Sequence, residues 1–182
     1  MRVAIAGAGA VGRSIALELV DNNHQVMLIE RELSNIDPES VEAAEWVHAD
    51  ACELASLEEA GLETCDVVIA ATGDDKVNLV VSLLAKTEFA VRRVVARVND
   101  PTNEWLFGQN WGVDVAVSTP RLLAALVEEA VAVGDLVRLM TFRQGQANLV
   151  EVTLPEDTIY VAAVSGTVSD VTSAAAAPPQ EG

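Results

Sequence analysis

Short apolar runs alternate along this chain with stretches in which apolar residues recur every third or fourth position. The first run covers residues 3–6 and is followed by the helical spacing of Val11, Ile15 and Leu19. Short apolar runs are typical of buried strands, and the wider spacing is typical of amphipathic helices. The pattern predicts strands over residues 3–6, 26–30, 46–49, 66–71, 94–98 and 113–117.

Helices are predicted between these strands, the less regular of them over residues 38–45, 53–60 and 104–110. Regular alternation of strands with helices predicts an α/β fold with a doubly wound parallel sheet. We expect the Rossmann-like strand order 3-2-1-4-5-6, in which ligands bind at the carboxyl ends of the strands.

The alternation of strands and helices ends in a last helix, and the pattern changes period from Asp135. Residues 119–134 are predicted as a crossover helix whose apolar residues exceed one stripe, which favours a helix shared with a second subunit over a core helix. Residues 135–165 predict an incomplete β appendage, a hairpin over 136–154 followed by one strand over 159–164. Residues 166–182 are rich in Ser, Thr, Ala and Pro and are predicted to be disordered.

Charge and cysteine content narrow the classes of function. The 28 acidic residues outnumber the 11 basic ones, which gives a formal net charge of −17. This charge argues against nucleic acid as a partner, because phosphate binding needs clustered Lys and Arg. The two cysteines, Cys52 and Cys65, are too few for a metal cluster and are expected to be reduced thiols. We see neither a signal pattern nor an apolar run of the ~18 residues of a membrane span, so a cytoplasmic location is expected.

A glycine-rich turn connects the first strand to the first helix. Residues 7–12 read Gly-Ala-Gly-Ala-Val-Gly, which is the G-x-G-x-x-G pattern of dinucleotide-binding turns. Gly7 allows the tight turn, Gly9 allows the backbone to approach a pyrophosphate, and Gly12 allows close packing of helix and strand. The free N–H groups of the helix and its dipole favour an anion there.

An acidic residue closes the second predicted strand. Glu30 stands at the position that accepts hydrogen bonds from ribose hydroxyls in such folds, and it would repel a 2′-phosphate. Arg31 follows, and it could favour NADP or be a solvated loop cation; the carboxylate beside it favours the second interpretation. The site is therefore expected to take NAD or another adenosine ligand.

Several motifs together resemble the N-terminal domain of the RCK (KTN) family, the Trk/Ktr-type potassium-uptake regulators. The motifs are AGAGAVGRSIALEL, VMLIER, HADA, DVVIAATGDDKVNLVVSLLAK and VVARVNDP, in that order. They cover the chain as far as about residue 120, and the crossover helix and hairpin continue the resemblance to about residue 154. Generic Rossmann enzymes share the glycine turn but not the ATGDD-x-x-N segment.

The resemblance implies a cytoplasmic, non-enzymatic subunit that senses a nucleotide, forms dimers or rings, and gates a potassium-translocating membrane subunit. Asp50 and Ala51 would flank the adenine, the Thr72–Gly73 segment would line the crevice, and Arg97 would face the ligand or a neighbouring subunit. The cofactor-binding residues so predicted are Gly7, Ala8, Gly9, Ala10, Val11, Gly12, Glu30, Arg31, Asp50, Ala51, Ala71, Thr72, Gly73 and Arg97.

The chain departs from the family pattern at two places. ATP-switched members often carry an arginine after the second glycine of the turn, where this chain has Ala10. NAD(H) is therefore the expected ligand, with ATP or ADP as the alternative. The hairpin is followed almost at once by one strand-like stretch and the low-complexity tail, so the C-terminal regulatory domain is expected to be shortened.

Two other functions stay open. A small NAD(H)-dependent oxidoreductase would need a proton-relay residue beside the nicotinamide. His24 and His48 are poorly placed for that, and Lys76, although near the crevice, has no partnering Tyr or Ser at an active-site spacing. The chain after residue 118 is too short for a substrate domain. In a structural adaptor the glycine turn would serve packing alone. Asp74 and Asp75 are interpreted as acids favoured by a helix dipole, with a divalent-ion site as the alternative.

Overall fold

A computed structural model of the chain describes residues 1–131, 136–142, 147–153 and 159–164. The chain divides into two compact units, Met1–Ser118 and Thr119–Gly182.

The first unit is built on a six-stranded sheet in which every strand pair is parallel. Its spatial order is β3-β2-β1-β4-β5-β6, which confirms the predicted Rossmann-like fold. The strands are β1 (Arg2–Ala6), β2 (Gln25–Glu30), β3 (Glu45–His48), β4 (Val67–Ala70), β5 (Arg93–Val98) and β6 (Val115–Ser118).

The central strands are apolar almost throughout because both faces of the sheet are covered. Ala4 and Ala6 of β1 belong to one core cluster, whereas Val3 and Ile5 belong to another on the opposite face. Successive side chains of a strand point to opposite faces, so a strand covered on both sides needs apolar residues at every position.

Three helices accompany the sheet, namely α1 (Ala10–Asp21), α2 (Leu54–Glu59) and α3 (Asp75–Thr87). The longest of the three is α3, and it has a side-chain cap. The Asp74 carboxylate accepts a hydrogen bond from the Lys76 N–H and so caps the helix N-terminus. Its buried face includes Leu79, Val81 and Ala85, which share the core cluster of β4 and β5.

Two predicted helices are shorter and tighter than expected. The 38–45 prediction was wrong beyond the single 3₁₀ turn Pro38–Val41, because Glu45 already pairs with Met27 in the sheet. The 104–110 prediction corresponds to two 3₁₀ segments, Pro101–Leu106 and Gln109–Trp111. The first begins earlier than expected, because the Asp100 side chain caps it by accepting from the Thr102 N–H.

The second unit contains α4 (Thr119–Val131) and a three-stranded antiparallel sheet in the order β7-β8-β9. Its strands are β7 (Leu136–Phe142), β8 (Ala147–Thr153) and β9 (Ile159–Val164). The β7–β8 pairing is the predicted hairpin, with an irregularity between Arg138 and Met140. The hairpin turn at 143–146, the expected end of the crossover helix at Gly134 and the predicted tail at 166–182 lie outside the described residues.

None of the helices in the described ranges is long and apolar enough to cross a membrane. The same ranges contain no group of three or more His, Cys, Asp or Glu side chains placed to hold a metal ion.

Candidate functional site

The glycine turn joins the end of β1 to the start of α1. Gly7 has a φ of +100°, a conformation that side-chain-bearing residues rarely adopt, and its N–H donates to the Ile29 carbonyl at 2.9 Å. A Cβ on Gly12 would lie 1.9 Å from the Gly7 carbonyl oxygen, so a side chain is excluded there. These two glycines are therefore required by the fold itself.

Gly9 is different from both. Its φ of −68° suits any residue, and a Cβ built on it would meet no atom of the described residues within 4 Å. It precedes the first turn of α1, where no side chain caps the helix N-terminus. The first N–H groups of a helix lack intrahelical partners, so this end of α1 presents donors and the positive end of the dipole.

Glu30 links the end of β2 to the glycine turn. It is 8% exposed. Its two carboxylate oxygens accept hydrogen bonds from the N–H groups of Ala8 and Glu32, each at 2.8 Å. A carboxylate oxygen can accept more than one hydrogen bond, so Glu30 can hold the turn and still accept from a ligand hydroxyl.

A cavity of about 610 Å³ opens at the carboxyl ends of the strands, a size that suits a small ligand. Most of its lining comes from five places: the glycine turn, the ends of β2 and β3, the loop between β4 and α3, and Arg97 of β5. All the predicted site residues line it except Ala8 and Gly12. Ala8 is completely buried, and Gly12 packs against the Gly7 carbonyl.

Six residues that line the cavity were missed by the sequence reasoning. Most of them follow the ends of β2, β3 and β4, so a rule that took the loop residues at the carboxyl ends would have found those, but not Ile29 within β2 or Val77 within α3. They are Ile29, Glu32, Asn35, Ala49, Asp74 and Val77.

One side of the cavity is rich in acidic groups. The Arg31 guanidinium lies 3.1 Å from a Glu32 carboxylate oxygen and 3.9 Å from an Asp50 oxygen. The Arg31 side chain is 64% exposed, so these are solvent-screened pairs of small energetic value. The Arg31 carbonyl accepts a hydrogen bond from His48 Nε2 at 2.9 Å, so the His48 ring is held by the loop that follows β2.

Cys52 lies beside this acidic side, where the Asp50 carboxylate accepts from the Cys52 N–H at 2.8 Å. Partial burial and the neighbouring Asp50 charge raise the pKa of the Cys52 thiol above its usual value, which keeps it protonated at neutral pH. Both cysteines of the chain are free thiols, and Cys65 is buried in the core.

The other side of the cavity is built on the loop between β4 and α3. The completely buried amide of Asn78 binds Thr72 by three hydrogen bonds, and its Nδ2 also donates to the Arg97 carbonyl at 2.9 Å. Asn99, in the segment that follows β5, also donates from its Nδ2 to the Thr72 carbonyl, at 3.1 Å. The loop after β4 is thus held from two directions.

Asp75 anchors the start of α3 to the segment that follows β5. Its carboxylate accepts from the N–H groups of Asn99 and Asp100 and from the side-chain amides of Asn99 and Asn103. Burial disfavours the charged form, but these hydrogen bonds outweigh burial and lower the pKa of Asp75 below its usual value. The predicted interpretation, a helix-dipole acid, accounts for only part of this role.

Arg97, in β5, is the last of the predicted site residues on this side of the cavity. Its side chain lines the cavity, and its Nε is buried without a hydrogen-bond partner in the described part of the chain. A guanidinium at the edge of such a cavity is suited to an anionic or carbonyl ligand.

The chain matches proteins of one family. The family model described as the TrkA-N domain matches residues 3–119. The Trk system potassium uptake protein TrkA of Mycobacterium tuberculosis (strain ATCC 25618 / H37Rv) is 68% identical over 158 residues, which cover 87% of this chain and 72% of that protein.

Solved structures with the same fold include channel proteins. The structure described as the GsuK channel bound to NAD has a TM-score of 0.71 at 18% identity, over 84% of this chain and 28% of that one. The structure described as GsuK bound to ADP has a TM-score of 0.63 at 27% identity, over 71% of this chain and 33% of that one.

Proposed function

Because this chain belongs to the TrkA-N domain family, as the resemblance in its motifs predicted, we propose that it is a nucleotide-sensing regulatory subunit of a Trk/Ktr-type potassium uptake system. The observation that carries the proposal is the cavity at the carboxyl ends of the strands, formed by the glycine turn and Glu30 in a chain closely similar to a potassium uptake protein. Ligand binding would shift the population of subunit arrangements, and that shift would gate a potassium-translocating membrane subunit.

The ligand would lie across the glycine turn. Its phosphates would bind at the N-terminus of α1, next to Gly9, where backbone donors and the helix dipole favour an anion. Its adenosine ribose would bind Glu30, and its adenine would lie by Asp50 and Ala51. The second half of a dinucleotide would extend towards Thr72, Gly73 and Arg97 on the other side of β1. Ala71 and Arg31 complete the proposed contacts.

NAD(H) is the proposed ligand, with ATP or ADP as alternatives. Ala10 offers no cation to a terminal phosphate, whereas the cavity extends to both sides of the turn, as a dinucleotide requires. Related folds have been solved with either type of ligand, since one GsuK structure is described as bound to NAD and another as bound to ADP. The carboxylates of Glu30, Glu32 and Asp50 on one side of the cavity oppose a 2′-phosphate and hence NADP.

Sensing without catalysis fits the positions of the two histidines. His24 lies between α1 and β2, before the amino end of that strand, and His48 is bonded to a loop carbonyl. Neither is among the residues that line the cavity. We therefore propose a regulator in place of an oxidoreductase.

Self-association through α4 is the proposed link between ligand and partner. Leu123, Val127 and Val131 of this helix are 61%, 55% and 80% exposed, which is unusual for large apolar side chains on one helix. We assign residues 119–134 as the dimerisation helix and residues 1–118 as the nucleotide-binding domain. The assembly would act at the cytoplasmic face of the membrane.

Potassium flux tests the proposal directly. The purified chain would be added to liposomes that contain the potassium-translocating subunit, and flux would be measured with and without NADH. We expect NADH to change the flux in the presence of the chain and to leave it unchanged in its absence. A flux that is independent of the chain at every NADH concentration would contradict the regulatory role.

A further inference from the structure

The cavity has two walls, one on each side of the glycine turn. Because the sheet order places β2 and β3 on one side of β1 and β4 and β5 on the other, residues at the strand ends fall into two groups. Glu30 and Asp50 belong to the first wall, and Thr72 and Arg97 belong to the second. A mononucleotide can be held by the first wall and the turn, whereas a dinucleotide needs both walls.

Asn78 joins Thr72 to Arg97 in the second wall without lining the cavity itself. It lies in α3 and is completely buried. Its Oδ1 accepts from the Thr72 N–H at 2.9 Å and from the Thr72 hydroxyl at 2.7 Å. Its Nδ2 donates to the Thr72 carbonyl at 3.2 Å and to the Arg97 carbonyl at 2.9 Å.

These bonds use the full capacity of the side chain. An amide offers two donor hydrogens and one oxygen with two lone pairs, and every one of them has a partner here. The orientation of the amide is set by chemistry, because only the oxygen can accept from the Thr72 N–H and only the nitrogen can donate to carbonyls. A fully satisfied buried polar group holds its neighbours in one arrangement.

We propose that Asn78 is a positioning residue that holds Thr72 and Arg97 together as the wall for the second half of a dinucleotide. The inference rests on the proposed function, since it assumes that a nucleotide binds in this cavity. Asn78 fixes the backbone of Arg97, a residue that lines the cavity, so the Arg97 side chain extends from a fixed point of the second wall. Asn78 thus favours dinucleotides over mononucleotides without touching either.

Asn78→Ala tests the proposal, with Ser82→Ala as the matched control. Ser82 is also completely buried in α3, one turn further on, and its hydroxyl donates to the Asn78 carbonyl at 2.7 Å. Its removal deletes a buried hydrogen bond in the same helix but leaves the four bonds of the Asn78 amide in place. NAD and AMP would be titrated calorimetrically into each variant at a temperature at which circular dichroism shows it to be folded.

We expect NAD to bind Asn78→Ala at least about tenfold more weakly than wild type, which corresponds to the loss of about one well-made hydrogen-bond contact. The affinity for AMP should differ by no more than about twofold between wild type and Asn78→Ala. Ser82→Ala should bind NAD and AMP with the affinities of wild type. Unchanged NAD affinity in Asn78→Ala, or an equal loss of NAD and AMP, would overturn the positioning role. Wild-type protein that binds neither nucleotide would instead overturn the proposed function.

A measurement on wild-type protein covers the case in which Asn78→Ala does not fold. The side-chain amide resonances of Asn78 should shift when NAD is added and keep their positions when AMP is added. Asn78 resonances that do not respond to saturating NAD would overturn the proposal.

Discussion

At the scale of single residues, the three glycines of the turn are glycines for different physical reasons. Gly7 is required by its positive φ, and Gly12 is required because a Cβ would overlap the Gly7 carbonyl. Within the part of the chain that the structure describes, nothing requires a glycine at position 9, where the Cβ position is open and φ is ordinary. A ligand that approaches the backbone closely would explain the missing side chain at this position.

Gly9→Val should therefore abolish nucleotide binding and leave the fold intact. The new side chain would occupy open space, so we expect the free energy of unfolding to fall by no more than about 1 kcal/mol, as for a poor N-cap residue. Gly12→Ala is the contrasting variant and should lose at least about 1–3 kcal/mol through overpacking. Thermal unfolding and nucleotide titration of both variants measure the two effects. Undiminished nucleotide binding by Gly9→Val would place the ligand elsewhere and favour a purely structural turn.

Asp75 should contribute stability that depends on pH. Its folded-state pKa lies below the ordinary value of 3.8, so its contribution is complete above that value and is lost as the pH falls through the folded-state pKa. Asp75→Asn removes acceptors from a buried network, and we expect it to lower the free energy of unfolding by about 1–3 kcal/mol at pH 7. The difference from wild type should shrink below about pH 4.

Denaturant unfolding at several pH values measures this difference. Asp74→Asn is the matched control, because Asn caps a helix about as well as Asp and the side chain of Asp74 is exposed, so its effect should be small. A stability difference between wild type and Asp75→Asn that grows as the pH falls would contradict the account of Asp75.

The sequence could predict those residues whose role is local. The glycine turn and Glu30 lie in adjacent strand-turn-helix segments, and spacing alone identifies them. The roles of Asn78 and Asp75 were missed because important partners of these side chains are distant in the sequence. Arg97 stands 19 residues after Asn78. Asn99, Asp100 and Asn103 stand 24 to 28 residues after Asp75. A helix-start Asp looks the same in a sequence whether it faces solvent or a neighbouring loop.

At the scale of elements, hydrophobic periodicity predicted every strand of the parallel sheet to within about two residues. It succeeded best for the central strands β1 and β4, which are covered on both faces and are therefore apolar almost throughout. It predicted single helices over 38–45 and 104–110, where the structure has only short 3₁₀ segments. Local capping by Asp100 and early pairing of Glu45 with Met27 decided those boundaries.

The exposed apolar residues of α4 predict an association surface. Leu123→Lys combined with Val127→Glu should reduce self-association, because charged groups would have to be buried in the interface. Ala124→Glu is the control, since Ala124 is exposed and lies one turn before the polar Glu128. Light scattering would give the mass of each protein in solution with and without NADH. A wild-type mass equal to one chain under all conditions would refute the proposed dimer.

At the scale of the whole molecule, charge and fold agree with a regulator that has a protein partner. The net charge of −17 opposes binding to nucleic acid and favours a partner with a basic surface. The relative from Mycobacterium tuberculosis is itself named as a potassium uptake protein, and it shares 68% identity with the chain. What the fold alone leaves open is the chemistry of the cavity, because Rossmann-like sheets serve both enzymes and sensors.

Binding of NADH without its consumption tests the central claim most directly. The purified protein would be titrated calorimetrically with NADH, NAD, ATP, ADP and cyclic di-AMP, and NADH absorbance would then be followed with simple carbonyls and quinones present. The account predicts that NADH or NAD binds most tightly and that NADH is not oxidised. Absence of binding across the nucleotides, or steady oxidation of NADH, would contradict it.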